Sequence, residues 1–361
     1  MDHRESVSRR AAAAAAALFA LAGALLAQQT SGNIYGRCVD EQQAVLPGVS
    51  VTLEGGGAPQ TAFTDAKGEF HFLSLAPGVD YAVTAALQGF STVRREHVAV
   101  TLGKNTEVTI PMSLSSVAAA VTVSSETPLL DTRKNETGHT FTQTELSTIP
   151  TARDPWVILQ QSPSVLVDRL NVGGSQGGQQ SNFVGKGADM TQNAWSLDGV
   201  IITDMAATGG TPTYYDFDAF EEMQVATGGS DPALTVPGVT LNLVTKRGTN
   251  AVHGSSRVFI TDEKFQSTNI PPEAIDQGIT STNRISGIQD FGVEAGGPVL
   301  PDKIWLWGSY GRSQINQIQT GGTLDRTTLE NVTGKFNLQP ISSNSATVFF
   351  FRGDKIKQQH A

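Results

Sequence analysis

From Asn33 to Leu114 apolar and polar residues alternate with a period of two, and turn-forming residues interrupt the alternation at regular intervals. In GVSVTLEGGG, Val49, Val51 and Leu53 share one face, and Gly55-Gly56-Gly57 end the run. In TDAKGEFHFLSL, Asp65 to Gly68 form a turn and Phe70 and Phe72 point the same way. DYAVTAAL, HVAVTL and EVTIPMSL repeat the pattern. About seven short strands in roughly 80 residues predict a small antiparallel β-sandwich.

The period then changes. Ser115 to Asp131 reads as a linker with one strand-like run, Val117 to Val123, and a break at Pro128. In FTQTELSTIPTARDPWVILQQSPSV, Thr144-Glu145 opens one short helix, and Asp154 caps another with Pro155 at its first position. Trp156 and Leu159 fall at helical spacing, which assigns Trp156 to a core. TLNLVTKRGTNAVHG divides into a strand (Thr240 to Thr245), a polar turn (Lys246 to Asn250) and a new strand from His253 to Ile260. Beyond it SSRVFITDE, QDFGVEAGGPV, KIWLWGSYGRSQ, NVTGKFNLQP and SATVFFFRGD each span about 9 to 11 residues, the length of a tilted membrane β-strand. Phe291, Val293 and Ala295 oppose Asp290, Gly292 and Glu294, while Val332, Gly334, Phe336 and Leu338 oppose Thr333, Lys335 and Asn337. Trp305, Trp307 and Tyr310 are candidates for an aromatic girdle at the membrane interface.

Composition narrows the chemistry. The 361 residues suffice for two or three domains, and a net charge of −9 with 16% charged residues excludes nucleic acid held by basic patches. One cysteine, Cys38, excludes an internal disulfide framework and a cysteine metal site. The six histidines are scattered, without metal-ligand spacing. Gly173-Gly174-Ser175-Gln176-Gly177 fits G-x-S-x-G, but its flanks supply neither the buried strand nor the helix of a nucleophile elbow. Gly185-Lys186-Gly187 lacks the rest of a phosphate loop. No catalytic residue, metal site or cofactor is expected. At the N-terminus, Arg4, Arg9 and Arg10 precede a small and apolar run from Ala11 to Ala27, the pattern of a secretory signal over residues 1–27.

Two ordered sets of motifs carry resemblances. GRCVDEQQAVLPGVSVTL, TDAKGEFHF, LAPGVDYAVTA and LQGF resemble the carboxypeptidase regulatory-like domain, which implies a transthyretin-like or carbohydrate-binding-like sandwich over 33–114. IPTARDPWVILQQSPSV, FVGKGADMTQNAWSLDGV, FDAFEEMQVATGG and PGVTLNLVTKRGTN resemble the plug of TonB-dependent outer-membrane receptors of the Oar-like type, over 117–248. GGPVLPDKIWLWGSYGRS resembles the first hairpin of the Oar-like barrel, with Pro301-Asp302-Lys303 as its short periplasmic turn, and places the start of a barrel at 251–361. The fold class implied is mainly β: a sandwich, an α+β plug and the first strands of an incomplete transmembrane β-barrel. Asp231-Pro232-Ala233 and Pro237-Gly238 depart from the plug pattern.

Carried over by position, the resemblance implies plug or gating roles for Arg153 and Asp154, for Asp198 and Gly199, for Glu221 and Glu222, and for Lys246, Arg247, Gly248 and Asn250. Asp198-Gly199 is also a hairpin turn signal in its own right, and the two glutamates are candidates for pairing with arginines of the barrel wall. The implied partners are the outer membrane, an unidentified extracellular ligand and a TonB-type energy transducer. The transducer adds a strand to a segment before the plug, within Val117 to Ser125. Five strands cannot close a plugged barrel of about 22, so the chain is expected to be the N-terminal part of a larger receptor. The competing expectation is a soluble periplasmic or surface binding protein that uses the sandwich for adhesion.

Overall fold

The computed structural model describes residues 31–114, 120–124, 137–169, 171, 173–229, 236–267, 270–279, 281–341 and 344–360. The expected signal segment lies outside the described residues. So do Asp231-Pro232-Ala233 and residues 117–119 and 125 of the expected transducer segment.

The first unit is a sandwich of β1 (Gly32–Val39), β2 (Ser50–Glu54), β3 (Gln60–Phe63), β4 (Glu69–Leu75), β5 (Tyr81–Ala86), β6 (Thr92–Val98), β7 (Asn105–Pro111) and β8 (Ala120–Ser124). One sheet runs β4-β1-β7, the other β3-β2-β5-β6-β8. The alternation works as expected: Val49, Val51, Leu53, Phe70 and Phe72 meet in one core with Ile34, Val83 and Ile110. Three details differ from the sequence reading. β1 pairs with β7, and β6 with β8, in parallel. The strand expected in HVAVTL ends at Val98, because His97 adopts φ 58° and the chain then turns. Ala120–Ser124, expected in a linker, is hydrogen-bonded to β6 as the outer strand of the five-stranded sheet.

The middle unit contains β9 (Thr137–Thr142), α1 (Gln143–Thr148), α2 (Pro155–Leu159), β10 (Val165–Val167), β11 (Phe183–Gly185), β12 (Ala194–Leu197), β13 (Val200–Ile201), β14 (Phe220–Gly228) and β15 (Thr240–Thr245). Helix α1 starts one residue earlier than Thr144: Thr142 is its cap, in a capping box with Glu145. The main sheet runs β13-β12-β15-β14-β9. Its core gathers Trp156, Trp195, Phe183, Met223, Leu241 and Leu243, so Trp156 is a packing residue.

The last unit is an antiparallel meander of β16 (His253–Asp262), β17 (Arg284–Leu300), β18 (Ile304–Ile318), β19 (Leu324–Ile341) and β20 (Asn344–His360). Strands β17 to β20 are 15 to 18 residues long, not the 9 to 11 expected. Apolar alternation marks only part of each strand. The polar ends continue the ladder because each backbone group still finds its neighbour, as in the unbroken register from Ile304↔Leu338 to Ile318↔Leu324. Residues 301–303 form the expected tight turn, with Asp302 at φ 63°. Val258, Ile260, Phe291, Val293, Val332, Val348 and Phe350 are exposed on the outer face. The inner face mixes charged groups such as Arg257, Glu294 and Lys335 with aromatic ones such as Phe349 and Phe351, and packs on the middle unit. Trp305 and Trp307 are 2% and 0% exposed on that inner face, which removes them from any interfacial girdle; Tyr310 remains outside beside Phe291. Their indole N–H groups explain the inward choice, donating to Asn250 Oδ1 and Glu294 Oε2. Among the described residues, no helix is long and apolar enough to cross a membrane.

Candidate functional site

The middle unit meets the inner face of the meander through a seam of charges, and most of the expected site residues lie on it. Asp198, at φ 50°, and Gly199, at φ 82°, make the hairpin turn between β12 and β13. The Asp198 carboxylate accepts hydrogen bonds from the Thr245 backbone N–H (2.9 Å) and hydroxyl (2.7 Å), joining the turn to the end of β15. It also receives Lys335 Nζ at 3.0 Å from β19, and that ammonium donates to the Thr245 carbonyl at 2.8 Å. Asp198 is therefore both a turn residue and a partner of the wall.

The exit from β15 is tied down residue by residue. Lys246 Nζ lies 2.5 Å from Glu294 Oε1 of β17, with both side chains almost fully buried. The Arg247 guanidinium stacks over the Trp305 ring, 5.7 Å from its centre, and burial lowers its pKa. Gly248 passes so close to β18 that a Cβ there would lie 2.5 Å from the Leu306 carbonyl oxygen. Asn250 exchanges two hydrogen bonds with Asp302 in the β17–β18 turn, at 2.7 and 2.9 Å. The sandwich sits at this same end, where Gly57 approaches Asp302 and Gln339.

Among the described residues, no arginine of the meander pairs with Glu221 or Glu222. A bulge between Phe220 and Glu222 interrupts the alternation of β14, and both glutamates touch the sandwich. Glu222 is buried and accepts from the Leu102 backbone N–H of the sandwich at 2.8 Å, while Gln224 Nε2 donates to the Leu102 carbonyl at 2.7 Å. Burial raises the Glu222 carboxyl to about 7, against the hydrogen bonds that favour its charged form. Glu221 is also raised by burial, opposed chiefly by Lys246. It lies against Gly78 of the sandwich, where a Cβ would meet its Cγ at 2.7 Å.

At the other end of the seam, Asp154 caps α2 through the Val157 N–H at 2.9 Å and accepts from Asn171. Burial raises its carboxyl to about 6. Arg153, at φ 57°, pairs with Asp218 and lies over the Phe217 and Phe259 rings. The sequence reading missed the residue at the centre of this cluster. Arg257 of β16 holds Asp290 through Nε at 2.6 Å, Asp216 through Nη2 at 2.7 Å and Asp218 through Nη1 at 2.8 Å. A sequence signal existed, since Arg257 alternates with Val258 and Ile260 and so lies on the face opposite their apolar side chains. Arg257 also begins a row across the sheet: it is paired with Gly292, Gly292 with Gly311, Gly311 with Asn331, and Asn331 with Gly353. The missing side chains make room for the middle unit. A Cβ on Gly311 would lie 2.7 Å from Asp216 Cγ, and one on Gly353 would lie 2.5 Å from Thr213 Oγ1. Beside the row is a cavity of about 530 Å³ whose lining includes Arg153, Asp154, Arg257, Asp290 and Arg312. The G-x-S-x-G loop packs against the meander through Gly173 and Gly174, with no helix after the serine.

Comparison with known proteins agrees with this architecture. Residues 33–113 match the carboxypeptidase regulatory-like domain, and residues 244–359 match an outer membrane beta barrel domain. The TonB-dependent transporter Oar of Myxococcus xanthus is 25% identical over 321 residues, which are 86% of this chain and 29% of that protein. The chain is a homologue of a TonB-dependent transporter. It spans under a third of this Oar relative's length, and the match to the outer membrane beta barrel domain takes in all but the last residue of the meander. Among solved structures, the siderophore receptor PirA from Acinetobacter baumannii is 16% identical with a TM-score of 0.42, covering 61% of this chain and 32% of its own. The outer membrane transporter YddB from Escherichia coli is 15% identical with a TM-score of 0.47, covering 60% and 33%.

Proposed function

We propose that this chain forms the gate of an outer-membrane TonB-dependent receptor, with the middle unit as the plug and the meander as part of the wall that it closes. The observation that carries this reading is the two-faced meander: outside, exposed Val258, Ile260, Phe291, Val293, Val348 and Phe350 with the Arg312–Glu330 pair and Arg352 among them, and inside a line of buried contacts from Lys335, Glu294 and Arg257 to the middle unit. A sheet with one largely apolar exposed face and the other occupied by a folded domain through buried ion pairs suits a plugged barrel. Arg153, Asp198, Lys246 and Asn250 hold the plug shut, and Gly199, Arg247 and Gly248 shape its turn and exit. Asp154 holds the helix next to Arg153, while Glu221 and Glu222 face the sandwich.

The partner is a TonB-type energy transducer that adds a strand near β8, before the plug, and pulls the plug to admit an extracellular ligand. Expression from its own locus, with an epitope tag inserted between Gln277 and Gly278, tests the reading by membrane fractionation. The tagged protein is expected in the outer-membrane fraction and accessible to antibody on intact cells. Recovery solely from the soluble periplasm overturns the receptor reading in favour of a soluble binding protein.

A further inference from the structure

Arg257 divides its donors between two bodies. The Nε end is held by Asp290 of the neighbouring wall strand, and the two terminal nitrogens are held by Asp216 and Asp218 of the middle unit. Arg153 shares Asp218. If the segment carrying Asp216 and Asp218 leaves the wall, Asp290 keeps Arg257 in place while Nη1 and Nη2 turn free. Two parallel N–H donors on a fixed guanidinium are the geometry that grips a carboxylate or phosphate with two hydrogen bonds. The wall around it is ready for such a departure. Gly292 leaves room for the Arg257 guanidinium itself, and Gly311 and Gly353, with Asn331 between them, leave gaps now filled by the Asp216 carboxylate and by the Thr213 hydroxyl and Tyr214 carbonyl; the cavity of about 530 Å³ opens beside them.

We propose that Arg257 is a binding station for anionic solutes passing between plug and wall, and that Asp216 and Asp218 occupy it in the closed state as built-in substitutes for the solute's own carboxylate or phosphate. The assignment rests on the plug reading above. Closure and recognition then use one residue: the solute's anionic group takes the place of the plug's carboxylates, so an anion at Arg257 disfavours reclosure until it has passed.

Single-channel recording on the protein purified from the outer membrane, in planar bilayers across a potassium chloride gradient, tests this with chloride and potassium as the probes. Asp216→Asn with Asp218→Asn is expected to produce openings that favour chloride. Adding Arg257→Gln is expected to keep the openings and bring the two permeabilities to parity. Absence of openings in the double variant, or a chloride preference that survives Arg257→Gln, overturns the proposal. A second variant guards against misfolding: Asp216→Cys with Gly311→Cys places two thiols at disulfide spacing. It is expected to be silent when oxidised and to conduct after reduction, and conduction while oxidised counts against passage between plug and wall. Protein that reaches the outer membrane but fails these tests sinks the anion station alone; protein that never reaches it sinks the receptor reading.

Discussion

Glu222 shows how far one residue's environment can move its chemistry. Its carboxyl rises from the ordinary 4.5 to about 7, so the folded protein holds a proton that the unfolded chain releases between those values. The folded state binds more protons in that window, and stability therefore falls as pH rises from about 4.5 to 7, by up to about 3 kcal/mol for a shift of this size. Glu222→Gln keeps an oxygen for the Leu102 N–H and removes the titration. Thermal melts of the detergent-solubilised protein should lose this part of their pH slope in the variant; an unchanged slope would assign the effect elsewhere. Asp154 and Glu222 also mark the limit of sequence reading at this scale. The cap at Asp154 is legible because its partner Val157 is three residues away, whereas Glu222 meets Leu102 across 120 residues, which no local pattern encodes.

At the scale of elements, the seam is a property of strands brought into register. Lys335 belongs to β19 and Asp198 to the β12–β13 turn, and their side chains are 8% and 17% exposed. Removing one partner of so buried a pair strands the other, at a cost of about 3 kcal/mol. Lys335→Ala should therefore loosen the middle unit from the wall, and limited proteolysis in detergent should cut the 204–210 loop well before the wall strands. Equal cutting of both units would show that Lys335 does not hold them together. Asn250→Ala acts on the same side of the seam, nearer the sandwich. It removes contacts to Asp302 and Trp305, and its predicted cost of about 1–3 kcal/mol should appear as faster exchange of the Asp302 amide, which donates to Asn250. Most of this element layout is readable in period-two alternation, including the division of TLNLVTKRGTNAVHG into strand, turn and strand. The inward turn of Trp305 and Trp307 is not, because in KIWLWGSY both faces carry large apolar groups. Only the polar partners Asn250 and Glu294, on other elements, decide which face is buried.

For the whole molecule, the decisive asymmetry is between the two faces of the meander. The outer face of β17 carries Phe291, Val293 and Val299, which are 39%, 54% and 63% exposed. If water covers that face, a charge at either valine changes stability by roughly 0.5 kcal/mol or less. If lipid covers it, the cost depends on depth, about 2–4 kcal/mol for arginine near the bilayer midplane and about 0–1 near the interface. Val293 lies mid-strand, and Val299 is beside the Pro301-Asp302-Lys303 turn at the end touched by the sandwich. Val293→Arg should destabilise the vesicle-inserted protein by about 2–4 kcal/mol in a urea titration, with Val299→Arg costing far less. The comparison also tests the direction of the chain. The turn must lie at the interface for Val299 to tolerate charge, which sets the sandwich, with its strand β8, on that side of the membrane. Equal costs at the two positions would remove the membrane from the outer face, and with it the reason for a plug behind the inner one.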